Sequence, residues 1–205
     1  SAMAWDYDKL RALALPVFGD ENLKRYEQQH IVAIPWASYK LNKRDKRSGG
    51  LNFLHGRVDD KSIFLLYFFD KQSCSVVGLA HFGLDTEGPG GRVHGGAILS
   101  VLDETGGVFA AMMSGYTCVT RSLTVQFRKF VPLNGIVAIK TRVLDETEKD
   151  MITEVTLISL DGETVHAVGK GEFKKYRLVQ QQYLDAQDEM FDFPRGKWRK
   201  LHSKL

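Results

Sequence analysis

The chain has 205 residues, 43% of them hydrophobic and 26% charged. That globular composition and length predict one domain with extensions, whose core needs no disulfide or metal staple. Its 28 Lys and Arg against 25 Asp and Glu leave a formal charge of +3, which excludes the clustered basic surplus of a nucleic-acid face. Two cysteines, Cys74 and Cys118, cannot make a disulfide framework and read as reduced thiols of an intracellular compartment, cytoplasmic or mitochondrial.

The first residues, Ser1-Ala2-Met3, read as a remnant ahead of a trimmed native sequence, so a targeting peptide is not expected to be visible. A helical pattern runs from about Trp5 to Leu15 and a second from Asp20 to His30, with Pro16 and Pro35 as breakers. Residues 40–50 carry Lys40, Lys43, Arg44, Lys46 and Arg47, either a solvated loop or a docking patch for an anionic cofactor. The period then changes to strands, Ser62 to Asp70 and Ser75 to Phe82, joined by a polar turn. The longest apolar run, Ile63 to Phe69, is strand length, far short of the roughly 20 residues of a membrane-spanning helix. Its Ile63, Phe64, Leu66 and Phe68 read as either an acyl tunnel or sheet core.

A glycine-rich stretch, Gly88 to Gly96, leads into one long helix, Ala97 to Met113. Four strand-like runs follow, 117–131, 136–144, 151–160 and 163–174, separated by Asn134-Gly135, an acidic segment from Asp145 to Asp150, and Asp161-Gly162. This order predicts an α+β fold. Gly106, Gly107, Ala110 and Ala111 suit a central helix that a curved antiparallel sheet approaches closely. The tail beyond Arg177 turns polar and reads as an appendage, helical to about Met190.

No Gly-x-Ser-x-Gly elbow, P-loop ending or ligand-spaced His/Cys pair occurs, so serine-triad hydrolysis, P-loop chemistry and a structural metal are not expected. Two features on the helix carry chemistry instead. Asp103 has Leu99, Gly106, Gly107 and Ala110 as same-face neighbours. A carboxylate on an inward stripe of that kind is desolvated, its pKa raised, and a candidate base; at a groove edge it is simply solvated. Glu104, turned by about 100° from it, is an accessory candidate. Just before the helix, His94-Gly95-Gly96 offers free backbone N–H groups at a helix N-terminus, the equipment of an oxyanion hole.

Asp103 lies nine positions after His94, about 13 Å along a helix. A base must come within about 3 Å of its target, so Asp103 cannot serve the carbonyl that its own chain's Gly95 polarises. If both act, the site is built from two chains. By alternation Thr120, Ser122, Thr124, Gln126 and Arg128 share one face of the following strand, with Leu123, Val125 and Phe127 on the other. The hydroxyl row reads as a pocket wall or as a plain solvent face.

Together these residues resemble the hotdog-fold acyl-CoA thioesterases, specifically the PaaI-type branch and its eukaryotic thioesterase-superfamily relatives. The resemblance rests on His94-Gly95-Gly96-Ala97, Leu102-Asp103, the run Thr120 to Arg128, and Pro132, and with the preceding hairpin covers residues 60–175. It implies an antiparallel sheet of five to six strands wrapped around one central helix. Residues 1–59 are then an N-terminal helical and loop extension, and 176–205 a C-terminal appendage. It implies hydrolysis of an acyl-CoA or acyl-carrier thioester, with no cofactor besides the coenzyme A of the substrate, no metal, and sites at the interface of a homodimer or a dimer of dimers. Asp103 matches the general base or nucleophile, Gly95 the donor to the thioester oxygen, Gly96 its neighbour, and His94 the histidine that shapes the turn. Thr120 matches a water-positioning residue, and Arg128 and Lys129 sit where basic groups meet coenzyme A phosphates. Some members carry an Asn six residues before the histidine; here that position is Gly88.

Two other readings stay open. Phe18-Gly19-Asp20-Glu21-Asn22 faintly echoes the motif of MaoC-type hotdog hydratases, although Leu23 stands where proline is required. A non-catalytic acyl-binding or partner-binding hotdog protein is the other; it has little reason to keep an acid at 103.

Overall fold

A computed structural model of the chain describes residues 7–28, 31–34, 54, 61–70 and 73–176. Two helices open it, α1 (Tyr7–Phe18) and α2 (Asp20–Glu27), followed by β1 (Ile31–Ile34), the hairpin β2 (Ile63–Asp70) and β3 (Ser75–Phe82), and the two-residue strands β4 (Glu87–Gly88) and β5 (Arg92–Val93). A long helix, α3 (Gly95–Ser114), then precedes four strands, β6 (Thr117–Phe127), β7 (Gly135–Glu146), β8 (Asp150–Ile158) and β9 (Val165–Tyr176). The main sheet is antiparallel throughout, in the order β1-β2-β3-β7-β8-β9-β6. It curves around α3 as expected of the hotdog arrangement. The seventh strand, β1, comes from the segment read as helix and loop: Ile31-Val32-Ala33-Ile34 extends the sheet by pairing along β2.

Pro16 does not break the first helix. α1 runs through it to Phe18, because proline removes one backbone donor but the stop is set at Gly19, whose φ of 77° lies in the region open to glycine.

The apolar run in β2 is sheet core on both faces rather than a tunnel wall. Leu65 and Tyr67 point inward and join the main core beneath α3, with Leu102, Phe109 and Phe173. Phe64, Leu66 and Phe68 point outward and are covered by α1 and α2 through Ala14, Phe18 and Leu23. Phe18 stacks on Phe64 and Tyr26 on Phe68, each with ring centroids 5.3 Å apart. Helix α3 is long and apolar enough to cross a membrane by length and composition, yet its apolar side is the filling of the sheet. A buried hydrogen bond, Tyr67 Oη to Thr105 Oγ1 at 3.0 Å, ties it to β2. Neither Cys74 nor Cys118 is in a disulfide, and burial pushes their thiols upward.

Small residues let the sheet close on α3. A Cβ added at Gly106 would stand 2.7 Å from Cζ of the fully buried Phe173 ring, whereas one at Gly107 meets Phe173 Cε1 at an ordinary 3.5 Å. The two glycines therefore predict opposite outcomes. Alanine gains about 1 kcal/mol of helix propensity at either position. At 106 an overpacking cost of about 1–3 kcal/mol opposes it. Gly106→Ala should lower the melting temperature by a few degrees and Gly107→Ala should raise it; thermal unfolding followed by circular dichroism gives the order, and a reversed order refutes this packing.

The C-terminal helix expected to Met190 and the basic cluster at 40–47 lie outside the described residues.

Candidate active site

The site begins at the start of α3. His94 is the N-cap, extended at φ −63° and ψ 138°, and its Nδ1 accepts the Gly96 N–H at 2.9 Å. A ring nitrogen that accepts carries no proton, so the imidazole proton of neutral His94 sits on Nε2. The His94 carbonyl takes the N–H groups of Ala97 and Ile98, at 3.0 and 3.3 Å, and its own N–H donates to Thr86 O at 2.8 Å. Of the first N–H groups of α3, that of Gly95 is left without an acceptor among the described residues. It points from the positive end of a 20-residue helix. The N–H of Gly96 is already engaged by His94, so of the two glycines only Gly95 keeps a donor for a ligand oxygen.

The same packing accounts for Gly88. A Cβ there would lie 2.9 Å from His94 Cα, so an asparagine at this position would displace the turn that sets the cap. His94 and Gly95 open into a cavity of about 670 Å³, lined also by Ile98, Phe127, Arg128 and Lys129. The Phe127 ring lies in van der Waals reach of Gly95, 3.6 Å from a built Cβ.

Asp103 is elsewhere. It sits two turns along α3, half-buried, and its Oδ1 accepts a 2.7 Å hydrogen bond from Thr120 Oγ1. Leu99 on the same stripe is 43% exposed while Gly106 and Ala110 are buried, so the stripe expected to face inward is open at its Leu99 end and closed at its Ala110 end. The strand alternation is also corrected. Thr120 pairs with Phe173 but Ser122 with Glu172, with a bulge between them. The extra residue, Arg121, turns outward to Asp150 and Glu172. The bulge reverses the parity, so Thr120 shares the helix-facing side with Leu123, Val125 and Phe127, and Ser122 and Thr124 take the other. Re-aiming one side chain is a common use of a bulge, and here it delivers the hydroxyl to Asp103.

Two half-sites thus lie on one flank of α3, one at Gly95 and one at Asp103, about 12 Å apart by helix rise. Strand β6 runs beside them and is an edge of the sheet among the described residues.

Residues 90–166 match the family model of the thioesterase superfamily. The match takes in α3 and the strands β6 to β8. Over 136 residues the chain is 26% identical to the rat protein named acyl-coenzyme A thioesterase THEM4, covering 66% of this chain and 58% of that one. It is 31% identical over 108 residues to the Xenopus laevis protein of the same name, covering 53% and 48%. The chain thus spans about half the length of the curated relatives it matches. Zebra Fish Thioesterase Superfamily Member 2, a solved structure, aligns with a TM-score of 0.47 at 16% identity, covering 50% of this chain and 75% of that one.

Within the matched segment, the structure brings His94, Gly95, Arg128 and Lys129 to one cavity and Asp103 and Thr120 to one hydrogen bond. Glu104 joins neither. It faces Tyr67, whose phenol is pushed far above its usual range by burial first and by the Glu104 carboxylate second. The segment that echoes the hydratase motif is the α1–α2 junction. Its Asp20 pairs with Arg11 and Lys24 and takes no part in the cavity lining. Sequence reasoning missed Arg92, Phe130 and His166. The His166 carbonyl accepts the N–H groups of Arg128 and Lys129 at 2.8 and 3.1 Å, and its Nδ1 donates to Phe130 O at 2.8 Å. No short-range signal marks a contact spanning 36 residues.

Proposed function

We propose that this chain hydrolyses acyl-CoA thioesters to a free acid and coenzyme A, in active sites each shared by two copies of the chain. The observation that carries the reading is the separation of the half-sites. The open Gly95 N–H and the Asp103–Thr120 pair lie on one flank, too far apart to act on a single carbonyl within one chain. A two-fold axis through their midpoint, near Leu99 on α3 and Leu123 on β6, brings Asp103 of each copy to Gly95 of the other. Leu99 is 43% exposed there and Val119 and Phe127 on β6 are 50% and 55% exposed. A strand edge that has no partner among the described residues and carries apolar neighbours favours such self-complementary pairing. A dimer and a dimer of dimers both contain the pair. The relatives' names support the substrate class, and an intracellular location, cytoplasmic or mitochondrial, goes with it.

In this reading the thioester oxygen sits at the Gly95 N–H, where the helix dipole and the His94 Nε2–H stabilise developing negative charge. Asp103 of the other copy holds Thr120 with one carboxylate oxygen and keeps the second for water. It takes a proton as water oxygen bonds to the carbonyl carbon. The tetrahedral intermediate then expels the thiolate, which receives that proton, leaving acid and free thiol. Only the thioester and water are consumed.

A panel of short-, medium- and long-chain and aryl acyl-CoA substrates, read with a thiol-detecting reagent, tests the reading. At least one should release thiol stoichiometrically. Binding of acyl-CoA without release from any member identifies a binding protein instead.

A further inference from the structure

Cys118 and Val125 on β6 both pack against the core, although they stand at positions an odd number apart. Strict alternation puts such residues on opposite faces, so the strand seats both only by inserting one extra residue between them. These two anchors do not dictate where the insertion falls. With it at Arg121, as the pairing to β9 shows, Thr120 is the helix-facing residue between Cys118 and Leu123. With it at Val119, that place passes to Arg121, and a guanidinium replaces the hydroxyl beside Asp103. Strand β6 has one neighbour among the described residues to pin its register, and a guanidinium pairs readily with a carboxylate.

Two acids on the outer side of the sheet decide between these registers. Arg121 Nη1 donates to Asp150 Oδ1 at 3.2 Å and Nη2 to Glu172 Oε2 at 3.0 Å. Glu172 lies opposite Ser122 in the ladder and accepts its hydroxyl too: the Arg121 guanidinium first, and the Ser122 hydroxyl second, hold its carboxyl below the usual range. One acid thus grips both residues that follow Thr120. Asp150 is itself fixed by the turn between β7 and β8. Its N–H donates to Thr147 Oγ1 at 3.0 Å and its carbonyl accepts the Thr147 N–H at 2.9 Å. Lys175, its side chain buried, ties the same turn through Glu146 and the Thr147 carbonyl. Exposed ion pairs stabilise little in general. Both registers keep Cys118 and Val125 inward, however, so a small preference selects one of them.

We propose that Asp150 and Glu172 are positioning residues that lock the bulge at 121: by holding Arg121 on the outer face they present Thr120 to Asp103 and keep a competing cation away from that carboxylate. The inference rests on the thioesterase reading, in which Asp103 is the base, and extends it to two acids outside the site.

Kinetics of the whole chain on its most active acyl-CoA test the lock. Asp150→Asn combined with Glu172→Gln should lower kcat at least about tenfold and leave KM within about twofold, since a misplacement of about 1 Å is enough for such a loss. Adding Arg121→Gln to that pair removes the competing cation and should return kcat to within about threefold of wild type, a non-additive rescue. Damage to the fold alone would not be relieved by a third substitution. Glu172→Gln by itself keeps the Asp150 pair and should show the same loss and rescue in part. An unchanged kcat in the double variant, or a loss that Arg121→Gln does not relieve, overturns the lock. A crystal structure of the double variant needs no turnover: Arg121, not Thr120, should lie against Asp103, and a retained Thr120–Asp103 hydrogen bond refutes the proposal. A chain that makes this exchange but releases no thiol from any acyl-CoA keeps the lock and loses the thioesterase reading. One whose double variant releases thiol at the wild-type rate loses only the lock.

Discussion

Asp103→Asn is expected to lower kcat by about 10²- to 10⁴-fold, the usual contribution of a positioned general base, with little change in KM. The substitution is close to isosteric. An asparagine Oδ1 still accepts the Thr120 hydroxyl at the position that now gives 2.7 Å, so the helix, the bulge and the edge strand keep their places. Only the capacity to take a proton from water is removed. Single-turnover kinetics on the most active acyl-CoA check it, and turnover at the wild-type rate ends the assignment of Asp103.

The second large effect tests the sharing of the site. Gly95→Pro deletes the open N–H without a cost to the helix, because proline is favoured at the first helical position. The residue before it is already extended, as proline requires. A Cβ at 95 meets only the edge of Phe127 at ordinary contact distance. Loss of one oxyanion donor should reduce kcat by about 10²- to 10³-fold. Mixed dimers then decide between one chain and two. In a heterodimer of Asp103→Asn and Gly95→Pro chains, one site holds both lesions and the other holds neither. Unfolding and refolding an equimolar mixture should therefore restore about a quarter of wild-type activity, half the dimers being mixed with one intact site in two. No recovery in mixtures shown to contain heterodimers refutes the shared site.

Spacing along one continuous element was readable before any fold was known. Asp103 lies on the helix that His94 caps and the rise is fixed, so their separation followed from counting. The hairpin β2–β3 and the turns at Asn134 and Gly162 were equally legible, because alternation and left-handed turn residues are local signals; Asn134 and Gly162 have φ of 57° and 84°. What depended on cross-strand register was not legible. The bulge beside Thr120 is visible only against β9, and without it alternation puts the hydroxyl on the wrong face. The capture of the Gly96 N–H by His94 depends on a side-chain rotamer. The Arg92–Phe130 contact joins segments that no periodicity links. Pro16 misled because a breaker was weighed without knowing that Gly19 ends the helix.

The helices on the outer side of the sheet also set the smallest portion of the chain that is fit to stand in water. Cutting at residue 60 retains both Gly95 and the Asp103–Thr120 pair, yet it bares Phe64, Leu66, Phe68 and Leu79, now covered by Ala14, Phe18 and Leu23. An uncovered row of rings and aliphatic side chains on a flat sheet is an adhesive surface. A fragment trimmed to residues 90–166 fares worse, since it also discards β2, β3 and the Phe173 ring against which Gly106 packs. The boundary drawn by shared chemistry and the boundary drawn by solubility are different cuts, and a truncated gene must respect the second.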